Sequence, residues 1–339
     1  MGEKLLINIV IYIPIIFFSF TLSKKLKLED VPNHSRKLHT SPIPYAGGIA
    51  IIIYFLFLVK LNAFNFYLEN ILIYSFLIFI AGIVDDKNQI KPFTKLLITV
   101  LPILILIYLG LFIDNLGLYE KIGYINLGKF KYIFCVLCTL LLINAVNYID
   151  GVDGLVLSQT IISLIYLSIL STNSETIFFI YCIIIPLSIN LLFNFNLFNK
   201  IKFFFGNSGS LLIGFVLSFL VIFLSKFEDI HPTYLIWSLY FYVYEFLSVN
   251  ITRILNRKSL FDPGKDHLHH ALYYLFKKSH LKTTLTLSTL SIFVIYISYL
   301  INIFYNRITS LLFFILLFFI YYLIRSVIFK NYKKISNRA

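Results

Sequence analysis

Charge is scarce in this sequence. Only 13% of its 339 residues are Asp, Glu, Lys or Arg, where soluble proteins carry about 25%. That deficit excludes an ordinary water-soluble globule. Cysteine is rare too, with three in the chain: Cys135, Cys138 and Cys182. All three lie mid-span, which excludes a disulfide framework. The C-x-x-C pair at 135 and 138 therefore reads as packing, not redox chemistry. No internal repeat is visible. A small-residue cleavage site is also missing after the first apolar segment, Leu5 to Leu22. Lys24, Lys25 and Lys27 follow instead, so the segment reads as a retained span.

What is present is apolar surface. Hydrophobic residues make up 59% of the chain, and its mean hydropathy is +0.86. Runs of about 20 apolar residues recur, each able to cross a bilayer as a helix. The expectation is an all-α polytopic membrane protein with about eleven transmembrane helices. They are expected at 4–22, 46–62, 68–84, 93–113, 131–147, 155–171, 176–193, 208–224, 232–250, 284–304 and 308–328. Residues 1–339 read as one integral-membrane domain with a motif-bearing core at about 31–283; residues 284–339 hold two further spans and a tail. With the N-terminus outside, the inside segments hold 22 of the 29 Lys and Arg residues. This is the positive-inside pattern. The net charge of +13 then reflects topology and anionic lipid, with no nucleic-acid partner expected.

Five polar clusters fall on that inside face: "PNHSRKLHTSPIPYAGG", "VDDKNQIKPFTK", "NAVNYIDGVDGL", "FFGNSGS" and "DPGKDHLHHAL". Their coincidence predicts one shared cytoplasmic site. Carboxylates in or beside a span are costly and usually functional. Asp85 and Asp86 are adjacent, so on a helix they point about 100° apart. One suits a metal while the other suits a base. Asn144, Asn147, Asp150 and Asp153 are spaced by three, yet an unbroken helix cannot aim all four at one point. Gly151 and Gly154 let the chain leave the helix and approach a ligand. Oxygen donors with a carboxylate suit Mg²⁺ better than zinc. "GNSGS" reads either as a helix cap or as a phosphate-binding helix N-terminus. His267, His269 and His270, with Arg253, suit contact with a diphosphate. Arg36, Lys37 and His39 suit an anion, and Gly47-Gly48 lets the second span start close to a neighbour. These residues point to a phosphorylated, water-soluble substrate and a lipid as the second.

The five motifs, in this order, resemble those of the polyprenyl-phosphate N-acetylhexosamine-1-phosphate transferases. These form glycosyltransferase family 4, relatives of the phospho-MurNAc-pentapeptide translocase. The likeness runs from about Pro32 to His270, and the H-x-H-H form at 267–270 resembles the branch that uses UDP-N-acetylhexosamines. It implies transfer of a sugar 1-phosphate from a UDP-N-acetylhexosamine to a polyprenyl phosphate such as undecaprenyl phosphate, with release of UMP. The step would start a cell-envelope glycan such as an O-antigen or teichoic acid. It implies Mg²⁺, with Mn²⁺ as an alternative, and a bacterial inner-membrane enzyme whose site faces the cytoplasm; a homodimer is compatible with it. Carried over, Asp85, Asp86, Asp150 and Asp153 are catalytic. Lys95, Asn144, Gly151, Arg253, His267, His269 and His270 bind substrate. Asn147 and Asn207 hold the metal. The family has Asp where this chain has Asn207, which removes one negative charge from the implied metal site. Two other classes compete: a catalytically impaired assembly subunit, suggested by Asn207, and a transporter. A transporter would place its polar groups near the midplane, often in paired repeats.

Overall fold

The computed structural model describes residues 2–32, 41–61, 64–88, 90–198, 201–259, 264 and 266–336. Arg36, Lys37 and His39 lie outside the described residues. The described chain is almost wholly helical: α1 (Gly2–Lys25), α2 (Gly47–Leu61), α3 (Phe66–Asn88), α4 (Pro92–Tyr108), α5 (Lys131–Tyr148), α6 (Leu155–Leu170), α7 (Ser174–Asn194), α8 (Gly206–Phe227), α9 (Pro232–Leu235), α10 (Tyr240–Leu255), α11 (Leu268–Leu275), α12 (His280–Phe304) and α13 (Arg307–Ser336). Such a fold follows from the apolar runs, because a helix satisfies every backbone polar group internally where water is absent.

Each of the eleven expected spans coincides with helical structure. Seven helices are long and apolar enough to cross a membrane, and Gly47–Leu61, Phe93–Tyr108 and Leu155–Leu170 are shorter apolar ones. The protein is a multi-pass membrane protein. The expected span at 232–250 is not one helix: α9 passes through a 3₁₀ turn at Ile236–Leu239 before α10 begins. Pro232 starts that segment with its ring at N1, where no N–H is needed.

The layers are uneven. In α8, 78% of the span is buried, against 17% in α13. Thus α8 is the axis of the bundle, packed by α2, α3 and α5, and α13 is peripheral. Gly48 makes that axis accessible: a Cβ there would lie 2.5 Å from the Gly209 nitrogen. Small residues at helix crossings allow such approach.

Two short hairpins mark opposite ends. At one end β1 (Glu29–Asp30) pairs antiparallel with β2 (Ile43–Pro44), and Tyr45 bridges to Phe204 just before α8. At the other, β3 (Asn115–Tyr119) pairs with β4 (Gly123–Asn126). The first hairpin brings Asp30 to the start of α8, where the polar motifs collect.

Candidate active site

A cavity of ≈ 570 Å³ opens where α3 ends and α8 begins. Asp30, Asp86, Asp150, Gly151, Asp153, Lys202, Asn207, His270 and His280 are among the residues that line it. Thus "VDDKNQ", "NYIDGVDG", "FFGNSGS" and the histidine segment, far apart in sequence, share one wall.

Asp86 closes the last turn of α3 and reaches the first turn of α8. Its Oδ1 accepts from the Asn207 N–H at 2.8 Å and its Oδ2 from the Ser208 N–H at 3.0 Å. Early N–H groups of a helix lack partners within it, and negative charge is favoured beside them. Asp86 is therefore a cap supplied by another helix. The phosphate reading of "GNSGS" changes accordingly, since a carboxylate of the chain itself already holds two of those donors.

Asp85 turns the other way, as adjacent helical positions must. Its Oδ2 accepts from Lys95 Nζ at 2.8 Å, and its Oδ1 from the Ile90 N–H at 3.1 Å. Lys95 also donates to Asn147 Oδ1 at 3.0 Å. Asn147 passes the chain on, donating from Nδ2 to Asn207 Oδ1 at 2.7 Å and to Ser210 Oγ at 2.8 Å. Asn207 lines the cavity, but Asn147 is not in its lining. Asn144 is also held apart, donating back to the Leu140 carbonyl of its own helix at 2.7 Å.

After Tyr148 the helix breaks, which frees Asp150 and Asp153 from the face of Asn144. Asp150 makes no side-chain hydrogen bond with a described residue. Its side chain is exposed to the cavity. The protein walls around that opening first, and then the negative charges of Asp86, Asp153 and Asp30, push its carboxyl up to about 7. Asp153 is paired instead: Lys202 Nζ lies 2.6 Å from its Oδ2. Its N–H donates to His280 Nδ1 at 3.1 Å, which leaves the imidazole proton on Nε2.

The histidines arrive on α11. His269 is 1% exposed, and neither ring nitrogen has a hydrogen-bond partner among the described residues. Burial, then His270 and His267, hold it well below its ordinary pKa, so it is neutral. A Cβ on Gly151 would stand 2.5 Å from His269 Nε2; glycine is what lets the two segments meet. Arg253 and His267 stand farther back. Arg253 grips Asp266 with both arms, Nε to Oδ2 at 2.7 Å and Nη2 to Oδ1 at 2.8 Å. Burial pushes the Asp266 carboxyl up, but this guanidinium outweighs it and holds the group below its ordinary value.

Sequence reasoning missed several residues here. Glu245, 1% exposed on α10, accepts from the Leu268 N–H at 2.7 Å and from Tyr321 Oη at 2.6 Å. Its Oε1 lies 3.3 Å from His267 Nδ1, and its Oε2 lies 3.8 Å from Arg325 Nε. Arg325 also donates to the Asp266 carbonyl. Glu245 and Arg325 thus hold the start of the histidine helix. A lone carboxylate inside "YFYVYEFLSV" was a readable signal. Lys202, His280 and Asp30 carried none, because only tertiary folding brings them to the cavity.

The residues can be tested against a divalent cation. Asn207 Oδ1 accepts one hydrogen bond from an amide and keeps a second lone pair, whereas the Asn147 oxygen carries the cationic Lys95 and lies outside the cavity lining. That argues against Asn147 as a ligand. No group of three His, Cys, Asp or Glu placed to hold a metal occurs among the described residues. Yet four carboxylates line the cavity with one unpaired. Mg²⁺ needs only one or two carboxylates beside substrate phosphates, so Asp86 with Asn207 fits it.

Comparisons with known proteins match this sequence over the stretch that carries three of the motifs. The model of the family "Glycosyl transferase family 4" matches residues 69–225. The probable undecaprenyl-phosphate N-acetylglucosaminyl 1-phosphate transferase of Bacillus subtilis (strain 168) is 28% identical over 291 residues, 83% of this chain and 78% of that protein. The undecaprenyl-phosphate alpha-N-acetylglucosaminyl 1-phosphate transferase of Escherichia coli (strain K12) is 26% identical, over 76% of this chain and 72% of its own. The Salmonella typhi protein of that name is also 26% identical, over 78% and 74%. The recognition made on the motifs is borne out: the chain is a relative of the polyprenyl-phosphate N-acetylhexosamine-1-phosphate transferases.

Proposed function

We propose that this protein transfers an N-acetylhexosamine 1-phosphate from a UDP-N-acetylhexosamine to undecaprenyl phosphate. The products are the polyprenyl-diphosphate sugar and UMP, formed at the cytoplasmic face of a bacterial inner membrane as a glycan of the envelope is begun. The observation that carries this reading is the convergence of Asp86, Asp150, Gly151, Asp153, Asn207 and His270 on one cavity. The names of the relatives supply the acceptor and the sugar class.

In this reading an oxygen of the acceptor phosphate attacks the sugar-bearing phosphorus. One P–O bond forms, the P–O bond to UMP breaks, and the electron pair leaves with UMP. Asp150, unpaired and with its carboxyl pushed up to about 7, takes the acceptor proton. Lys202, His270 and His280, which line the same cavity, face the phosphate oxygens as charge moves to UMP. His269, 1% exposed behind Gly151, is a positioning residue for that wall of the cavity. Asp86 and Asn207 would hold Mg²⁺, which supplies positive charge to the diphosphate when bound. Lys95, Arg253 and His267 act through their partners and are positioning residues.

The test uses purified full-length protein with undecaprenyl phosphate and a panel of UDP-sugars, reading UMP release. Release with UDP-N-acetylglucosamine or another UDP-N-acetylhexosamine is expected. Silence with every UDP-sugar, restored by Asn207→Asp, would support an assembly subunit instead.

A further inference from the structure

A second cavity, ≈ 940 Å³, opens between the last turns of α10 and α13, at the same end of the bundle. Arg253, Arg257, Lys258, Arg325 and Lys330 line it, with Asp266 as the one acidic residue in the described lining. Two of these cations are matched, Arg253 by Asp266 and Arg325 by Glu245. The side chains of Arg257, Lys258 and Lys330 have no ion-pair partner among the described residues. Tyr322 and Phe329 of α13 supply an apolar wall beside them. The same helix presents Leu323, Ile324 and Val327 outward at 64%, 54% and 60% exposure. Cations at the mouth, aromatic rings at the side and a lipid-facing helix next to both are the chemistry of a membrane interface.

We propose that this cavity holds the phosphate headgroup of an anionic phospholipid from the surrounding leaflet, with its acyl chains along the outer face of α13. Basic pockets between membrane helices take such headgroups, and each Lys or Arg near the surface adds an attraction worth about fivefold in binding. Three unmatched cations favour an anionic headgroup over a zwitterionic one. The apolar wall favours a lipid over free phosphate, which could not use it. The proposal does not depend on the transferase reading.

The test uses the full chain in mixed micelles. Native mass spectrometry counts retained phosphatidylglycerol against phosphatidylcholine, and thermal unfolding is read with each lipid. The protein is expected to retain phosphatidylglycerol preferentially and to unfold at a higher temperature with it. Replacing Arg257, Lys258 and Lys330 together by Gln should weaken that retention by at least about tenfold. Circular dichroism and UMP release in phosphatidylcholine should stay unchanged. Should the triple variant fold poorly, Lys330→Gln alone, at an exposed position, should cost about fivefold. Replacing Lys24, Lys25 and Lys27 by Gln should leave retention intact. Equal retention by the native and triple-variant proteins would overturn the proposal. So would an equal loss from the Lys24, Lys25 and Lys27 variant, which would mean net charge alone. Displacement of the lipid by millimolar inorganic phosphate would overturn the lipid assignment.

Discussion

The two cavities at one end of the bundle carry opposite charge. The first is lined by Asp30, Asp86, Asp150 and Asp153 against Lys202 and two histidines; the second by five cations against Asp266. Both are proposed to meet phosphates. A basic cavity can hold a phosphate without help. An acidic one repels it unless a cation comes between, but its carboxylates can accept protons, which Arg and Lys cannot. Sign thus separates a site for chemistry from a site for holding.

Metal removal should break the pair apart most sharply. With a chelator present, UMP release should fall to background while phosphatidylglycerol stays bound. Loss of both together would mean that the cavities are not independent. Next in size, Asp150→Ala should reduce UMP release by about 10²–10⁴-fold, with lipid retention unaffected. A near-normal rate would remove Asp150 from the chemistry.

Gly151→Ala probes the wall between the motifs. The added methyl would meet His269 at 2.5 Å and His270 at 3.0 Å. Displacement on that scale should lower the rate by about 100-fold while helicity is kept; an unchanged rate would mean that the histidines need not lie against Gly151. Asn207→Asp restores a charge beside Asp86 and should lower the Mg²⁺ concentration for half-maximal activity several-fold. An unchanged requirement would show that residue 207 does not touch the metal.

The smallest effect concerns pH. The Asp150 carboxyl titrates near 7, above its unfolded value. Its contribution to stability is therefore fully present below the unfolded value, 3.8, and is lost progressively as pH rises from there through about 7. Activity needs that charge and runs the opposite way, falling as pH drops below about 7. Asp153→Asn removes one of the neighbouring negative charges and releases Lys202. It should move the acid limb of the normalised rate profile lower, by about one pH unit or less. A limb that stays put would assign it to another group.

The sequence made the helical, membrane-spanning architecture legible because apolar runs leave the backbone no other choice. It also made legible that Asp85 and Asp86 could not share a task, since 100° per residue is a property of any helix. Their partners were hidden. That Asp86 caps α8 depends on a crossing 121 residues away in sequence. The spacing of Asn144, Asn147, Asp150 and Asp153 correctly implied that not all four could converge. The break itself was legible, since the expected span ends at 147 and α5 ends at Tyr148; that Asn144 faces back on Leu140 came only with the fold. Asn147 illustrates the remaining gap: an amide oxygen reads as a ligand until Lys95 is seen resting on it.

The bonds of Glu245 to Tyr321 and Arg325 have a consequence for biosynthesis. Tyr321 follows Glu245 by 76 residues, and translation proceeds at about 5–20 residues per second. For several seconds α10 and the histidine helix exist without α13, leaving the Glu245 carboxylate in an apolar setting without either partner. Insertion of α13 ends that interval. Tyr321 and Arg325 reach Glu245 only then, so the start of the histidine helix gains these two supports last, when this late helix has entered the bilayer.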